Sequence, residues 1–170
     1  MNWDAVGAVG ELVVAVAVIA TLIYLAIQVK DSARAARSAA VTDATNAMQQ
    51  FYSELGNNPQ TSELFLRGMA NPESMAQESQ FQFLMLLHSA FLAFQGSFFL
   101  AQEGTLDVGL RDSIGTSILT VNRMPGMRFY WRQRKSYFQP EFIEWVESLL
   151  AQDPVLDMDV YRNESSIQAE

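Results

Sequence analysis

Residues 5–29 form an almost unbroken apolar run in which Glu11 is the only charge, bounded by Asp4 and Lys30. A helix of about 20 such residues, rising about 1.5 Å each, covers a hydrocarbon core of about 30 Å, and soluble core helices seldom stay uncharged so long. The pattern therefore predicts one N-terminal transmembrane helix over residues 1–30. No Lys or Arg precedes the run, whereas Lys30, Arg34 and Arg37 follow it. Loop cations favour the cytoplasmic side, so the expected topology is single-pass, N-terminus out and C-terminal domain cytoplasmic. The start Met-Asn-Trp-Asp lacks a basic n-region, and the run exceeds the roughly 7–15 residues of a signal-peptide core. The anchor is accordingly read as uncleaved.

Within the run, Glu11 carries the information. It sits about one turn inside the expected hydrocarbon boundary, where a carboxylate is costly and calls for protonation or a hydrogen-bonding partner. Gly7 and Gly10 lie beside it and leave that side low in bulk, which permits close approach of another helix. Three readings stay open: a helix–helix contact through Gly7, Gly10 and Glu11, a ring of Glu11 side chains lining a pore in an oligomer, and a carboxylate that snorkels to the headgroups.

Beyond the anchor the period of the pattern remains helical. Residues 31–55 contain neither Gly nor Pro and are rich in Ala, so the anchor helix is expected to continue. Ala40, Ala44, Ala47 and Phe51, supported by Val41, Met48 and Leu55, recur at three and four residues and make a small-residue packing stripe. Such a stripe serves either a contact inside the bundle or a seam between copies. Gly56, Asn57, Asn58 and Pro59 end this helix; further helices are expected over 60–70, 74–103, 107–121 and from Pro140 to before Asp153, and Pro125 and Gly126 set off a segment at 127–138. Asp107 is an expected N-cap and Gly104 an expected helix stop. Residues 81–101 carry no charge, but Gln82, His88, Ser89, Gln95 and Ser97 dilute the run. A central core helix is the preferred reading there and a second membrane span the alternative.

The domain organisation expected is an anchor at 1–30, a bundle of five or six helices at 31–152 and an acidic arm or tail at 153–170, all-α throughout. Charge sharpens this picture only at the end of the chain. Net charge is −8, and from Glu141 onward there are eight acids against one base, Arg162. That balance disfavours nucleic acid, whose binding requires cations that displace counterions from phosphates. Cysteine is absent, which excludes disulfides and thiolate chemistry.

Little in the chain points to catalysis. His88 is the single histidine, lies in an apolar stretch and is read as a hydrogen-bonded core residue, with no Glu-x-x-His spacing for a di-iron bundle. No catalytic, metal-ligating or cofactor-binding set is expected, and no nucleophile elbow is present. The basic-aromatic segment is more distinctive: Arg128, Arg132 and Lys135 share a helical face, with Trp131 among the neighbouring aromatics. They are read either as contacts with anionic headgroups or as partners of Glu141, Glu144 and Glu147. Phe91, Phe94, Phe98 and Phe99 could line a cavity for a lipid or another apolar ligand, although such cores commonly pack shut.

Two stretches, residues 3–12 with 22–30 and residues 125–131 with 138–142, together resemble a recurrent group of small bacterial proteins that combine an N-terminal membrane helix with a helical domain. The resemblance runs to about Leu150, carries no catalytic residue, and implies a bacterial inner-membrane setting in which Gly10 and Glu11 belong to the shared anchor pattern. The expectation is thus a non-enzymatic scaffold or accessory subunit that self-associates through Gly7, Gly10, Glu11 and the Ala-rich stripe. Its expected partners are membrane lipid and further copies of itself, with a larger membrane complex as another candidate. A homo-oligomeric ion channel gated at Glu11 and an apolar-ligand binding module are the alternatives.

Overall fold

The computed structural model describes residues 3–152, with side chains from Gly10 onward. The expected acidic tail at 153–170 lies outside the described residues. Among the described residues the chain is helical, with no strand. Helix α1 runs Trp3–Asn57, α2 Pro59–Ala70, α3 Gln77–Gln102, α4 Val108–Val121, α5 Pro125–Arg134 and α6 Pro140–Leu150. Short 3-10 turns at Pro72–Ser74 and Lys135–Tyr137 precede α3 and α6. Chain contacts divide the molecule into two units, residues 1–39 and residues 40–170. The apolar run expected as the anchor ends at residue 30, nine residues before that division.

In the first unit, every residue from Gly10 to Ala39 is exposed. The helix persists there because nothing interrupts it: no proline occurs, and the last glycine before position 56 is Gly10.

The second unit is a bundle in which α3 packs on α2 and α4, α2 on α5, and α4 on α6. Its helix ends follow local chemistry. Pro59 disfavours helical backbone at Asn58, which becomes the cap of α2: its Oδ1 accepts from the backbone N–H of Gln60 at 3.1 Å and of Thr61 at 3.2 Å. The same corner is clasped by Glu54, whose carboxylate accepts from Asn58 Nδ2 at 3.0 Å and Thr61 Oγ1 at 2.9 Å. Asp107 caps α4 by accepting from the Gly109 N–H at 2.8 Å. Gly104 turns the chain after α3 at φ +70°, a conformation that costs glycine little.

Helix α3 is the centre of the bundle. Its face of Phe83, Leu87, Ala90, Phe91, Phe94, Ser97, Phe98 and Ala101 is buried. Phe91 sits inside a cage of rings, with Tyr130, Phe94, Trp131, Phe138 and Phe142 at centroid distances of 4.9 to 6.5 Å. Rings at these separations gain edge and offset contacts beyond simple burial. The Phe91, Phe94 and Phe98 side chains are therefore buried in one aromatic cluster with these neighbours, the close packing that such cores commonly reach. Phe99 is half-buried at the edge of this core, against Phe98 at 5.3 Å.

Candidate functional site: an exposed apolar helix face

Two helices are long and apolar enough to cross a membrane. In α3, 39% of the apolar window is buried, because that helix serves the bundle core. In α1 the corresponding fraction is 0%, with a mean hydropathy of 2.6. Leu12, Val13, Val14, Val16, Val18, Ile19, Leu22, Ile23, Leu25, Ile27 and Val29 are each roughly half to two-thirds exposed. Soluble proteins seldom present contiguous apolar surface of that extent to water, so this stretch of α1 is the dominant unsatisfied feature of the chain.

The uncharged polar side chains Thr21, Tyr24 and Gln28 are already partnered within the helix. Thr21 Oγ1 donates to the Ala17 carbonyl at 2.9 Å, and Gln28 Nε2 donates to Tyr24 Oη at 2.8 Å. These i−4 bonds let hydroxyl and amide groups enter an apolar phase at reduced cost. Glu11 is exposed and has no hydrogen bond or ion pair among the described residues. A Cβ at Gly10 would meet nothing within 4 Å, so that side of the helix is open. Gly7 belongs to the helix, but its surroundings lie outside the described side chains.

The stripe that follows splits between two fates. Ala40 and Ala44 are buried with Ala101 and Leu106. Phe51 packs on the main core and meets Phe65 edge-on at 6.3 Å, while half-buried Ala47 borders a shallow cleft with Leu86, Ala90 and Ala93. Ala40, Ala44 and Phe51 are thus committed to the bundle. The Ala40 and Ala44 methyl groups pack on α3 and the following loop, the contact inside the bundle that is the usual role of such a small-residue stripe ahead of a seam between copies.

The basic-aromatic segment is likewise divided. Arg128, Arg132 and Lys135 are exposed, as expected for one outward face. Trp131 is 6% exposed and stacks on Phe138 at 5.8 Å with an interplanar angle of 14°. Its indole is a core element, so the expectation that Trp131 enters a membrane surface is corrected: residue 131 falls on the inner side of α5, with Met127 and Tyr130. Lys135 Nζ bonds Glu147 at 2.9 Å, and Arg132 lies 3.4 Å from Glu73 and over the Phe129 ring. The Lys135 bond holds the Glu147 carboxyl below its usual range, with a smaller contribution from the nearby Trp131 N–H, which itself lacks a partner of full hydrogen-bond geometry. Exposed pairs of this kind contribute little to stability.

His88 meets its expected description. Its Nδ1 lies 3.2 Å from Tyr130 Oη, and its ring contacts Tyr137 and Phe138. Partial burial and the Arg134 guanidinium push the imidazole below its ordinary pKa, while burial pushes the Tyr130 phenol far up. The pair is a neutral hydrogen bond in the core wall. No group of three or more His, Cys, Asp or Glu side chains suited to a metal ion occurs among the described residues.

Fold and site together define an all-α protein in which a solvent-facing apolar helix is joined to an aromatic-cored bundle. Neither a protein-family model, nor a curated protein, nor a solved structure matches the chain.

Proposed function

We propose that this protein is a non-enzymatic accessory or scaffold subunit, held by α1 in a bacterial inner membrane and associating there with further copies of itself. The observation that carries the reading is the wholly exposed apolar stretch of α1, for which lipid is the matching solvent. Lys30, Arg34 and Arg37, all on the C-terminal side of that stretch, support a single crossing with the N-terminus out and the bundle cytoplasmic. Self-association is assigned to the open side of α1 bearing Gly7, Gly10 and Glu11, where small residues permit close approach and a carboxyl group finds a partner across the contact. The Ala-rich stripe is left out of that contact, because Ala40 and Ala44 pack within the bundle.

Flotation of the full-length protein with vesicles, followed by crosslinking across a range of detergent-to-protein ratios, tests both parts. The expected result is a protein that floats and yields a discrete crosslinked oligomer, weakened by Gly10→Leu and Glu11→Gln. Full-length protein left in the soluble fraction without detergent overturns the membrane assignment. A floating protein that is strictly monomeric at every ratio overturns self-association alone.

A further inference from the structure

The cations after the apolar stretch do more than bias orientation, because they occupy one side of α1. At about 100° per residue, Lys30, Arg34 and Arg37 fall within about 60° of the helix circumference. All three are exposed and none has an ion-pair or hydrogen-bond partner among the described residues. The intervening positions are Asp31, Ser32, Ala33, Ala35 and Ala36. Apart from Asp31, which points about 100° away from the column, they are small, so nothing bulky keeps an anion from the three side chains.

The same side continues into the apolar stretch as Leu12, Val16, Ile19, Ile23 and Ile27, all exposed and all aliphatic. The other half of the circumference holds Gly10, Glu11, Thr21, Tyr24 and Gln28, together with Val14, Val18, Leu22, Leu25 and Val29. One side of α1 is therefore wholly apolar, a row of large branched residues set among Ala15, Ala20 and Ala26, and ends in three cations, while the polar side chains of the segment lie opposite.

From this we infer that Lys30, Arg34 and Arg37, with Ile19, Ile23 and Ile27, form a binding site for an anionic phospholipid of the bilayer. This rests on the reading of α1 as a membrane helix. The cations hold the headgroup phosphate and the isoleucines lie along the acyl chains. Axial reach fits. Taking Val29 as the hydrocarbon edge, Lys30 and Arg37 stand about 1.5 and 12 Å beyond it along the axis. Helical side chains lean toward the N-terminus, here toward the bilayer, so the two arginines reach back into a headgroup layer about 5–8 Å deep. Arginine forks present paired N–H donors to phosphate oxygens, which favours a bound lipid over a diffuse ion atmosphere.

The test uses the full-length protein in nanodiscs of equal parts phosphatidylcholine and phosphatidylglycerol with matched acyl chains, and counts lipids that stay bound on release by native mass spectrometry. The wild type is expected to retain phosphatidylglycerol selectively. Selectivity should fall about fivefold for each cation replaced in the series Arg34→Gln, Arg34→Gln/Arg37→Gln and the triple variant with Lys30→Gln. Arg34→Lys/Arg37→Lys keeps the charge but loses the paired donors, so it should fall between wild type and Arg34→Gln/Arg37→Gln, and added salt should lower selectivity throughout. Equal retention of the two lipids by wild type, or unchanged selectivity in the Gln series, overturns the site. Because the single Arg34→Gln variant leaves two cations, failure of the triple variant to incorporate still leaves a readable series. Failure of wild type to float with pure phosphatidylcholine vesicles is a different outcome, and it removes the membrane reading itself along with the site.

Discussion

A Cβ placed on Gly126 would stand 2.2 Å from the carbonyl oxygen of Gly68 and 2.5 Å from the Cα of Met69, so the backbones of α2 and α5 touch at this crossing. A Cβ on Gly68 would in turn run into the Phe83 ring, at 2.2 Å. Three helices meet there with no side chain between two of them. Since the obstacle at Gly126 is main chain, no rotamer change relieves it. Gly126→Ala is expected to destabilise the bundle by about 1–3 kcal/mol or more, despite alanine's better helix propensity. Urea denaturation of full-length protein in a mild detergent, followed by tryptophan fluorescence, measures this. A variant as stable as wild type would show that α2 and α5 separate freely.

Packing and association should come apart under substitution. Ala44→Leu forces three extra carbons into the contact with Ala101 and Leu106 and is expected to cost about 1–3 kcal/mol of bundle stability while leaving the crosslinking pattern intact. Gly10→Leu should do the reverse, since a Cβ there meets nothing within the chain. Thermal melts paired with crosslinking read both quantities on the same samples.

The His88–Tyr130 pair makes stability depend on pH. A histidine whose folded pKa lies below its unfolded value of 6.5 binds protons more readily in the unfolded chain, so its contribution is fully present above about pH 6.5 and is lost as pH falls below that value toward the folded pKa. The denaturation midpoint should therefore drop between pH 7 and pH 5, and the difference between wild type and His88→Gln should narrow over that range. A difference that stays constant with pH would mean that the imidazole gains a proton equally well in both states.

Much of the helix map was legible in the chain because its punctuation is strong. Pro59, Gly104, Asp107, Pro125 and Pro140 each fix a boundary through their own backbone or side-chain chemistry. The 3-10 turn at Pro72–Ser74 was not marked out, and α3 begins later than residue 74 as a result. Periodicity found the stripe at Ala40, Ala44 and Phe51 but could not name its partner, because Ala101 and Leu106 lie some sixty residues away and are met only through the tertiary fold. The same limit governs Trp131. A residue in a basic-aromatic stretch reads as interfacial until α5 is rotated against α3, and that rotation is set by Phe91 and Phe138. The contact of Gly68 with Gly126 left two traces, a glycine inside α2 and one at the second position of α5, where helix propensity alone would favour other residues.

Trp131 and Phe138 flank the turn Lys135–Tyr137 and stack on one another across its base. Outwardly that turn is all solvent: Lys135, Ser136 and Tyr137 are exposed. Its footing, however, is the aromatic cage around Phe91, so opening the turn requires pulling two rings out of the bundle interior. The Phe138 amide, bonded to the Lys135 carbonyl at 3.1 Å, should consequently exchange its hydrogen for deuterium at the rate of whole-bundle opening and not at that of a fraying loop. A surface segment of three residues thereby becomes a timekeeper for the entire helical domain.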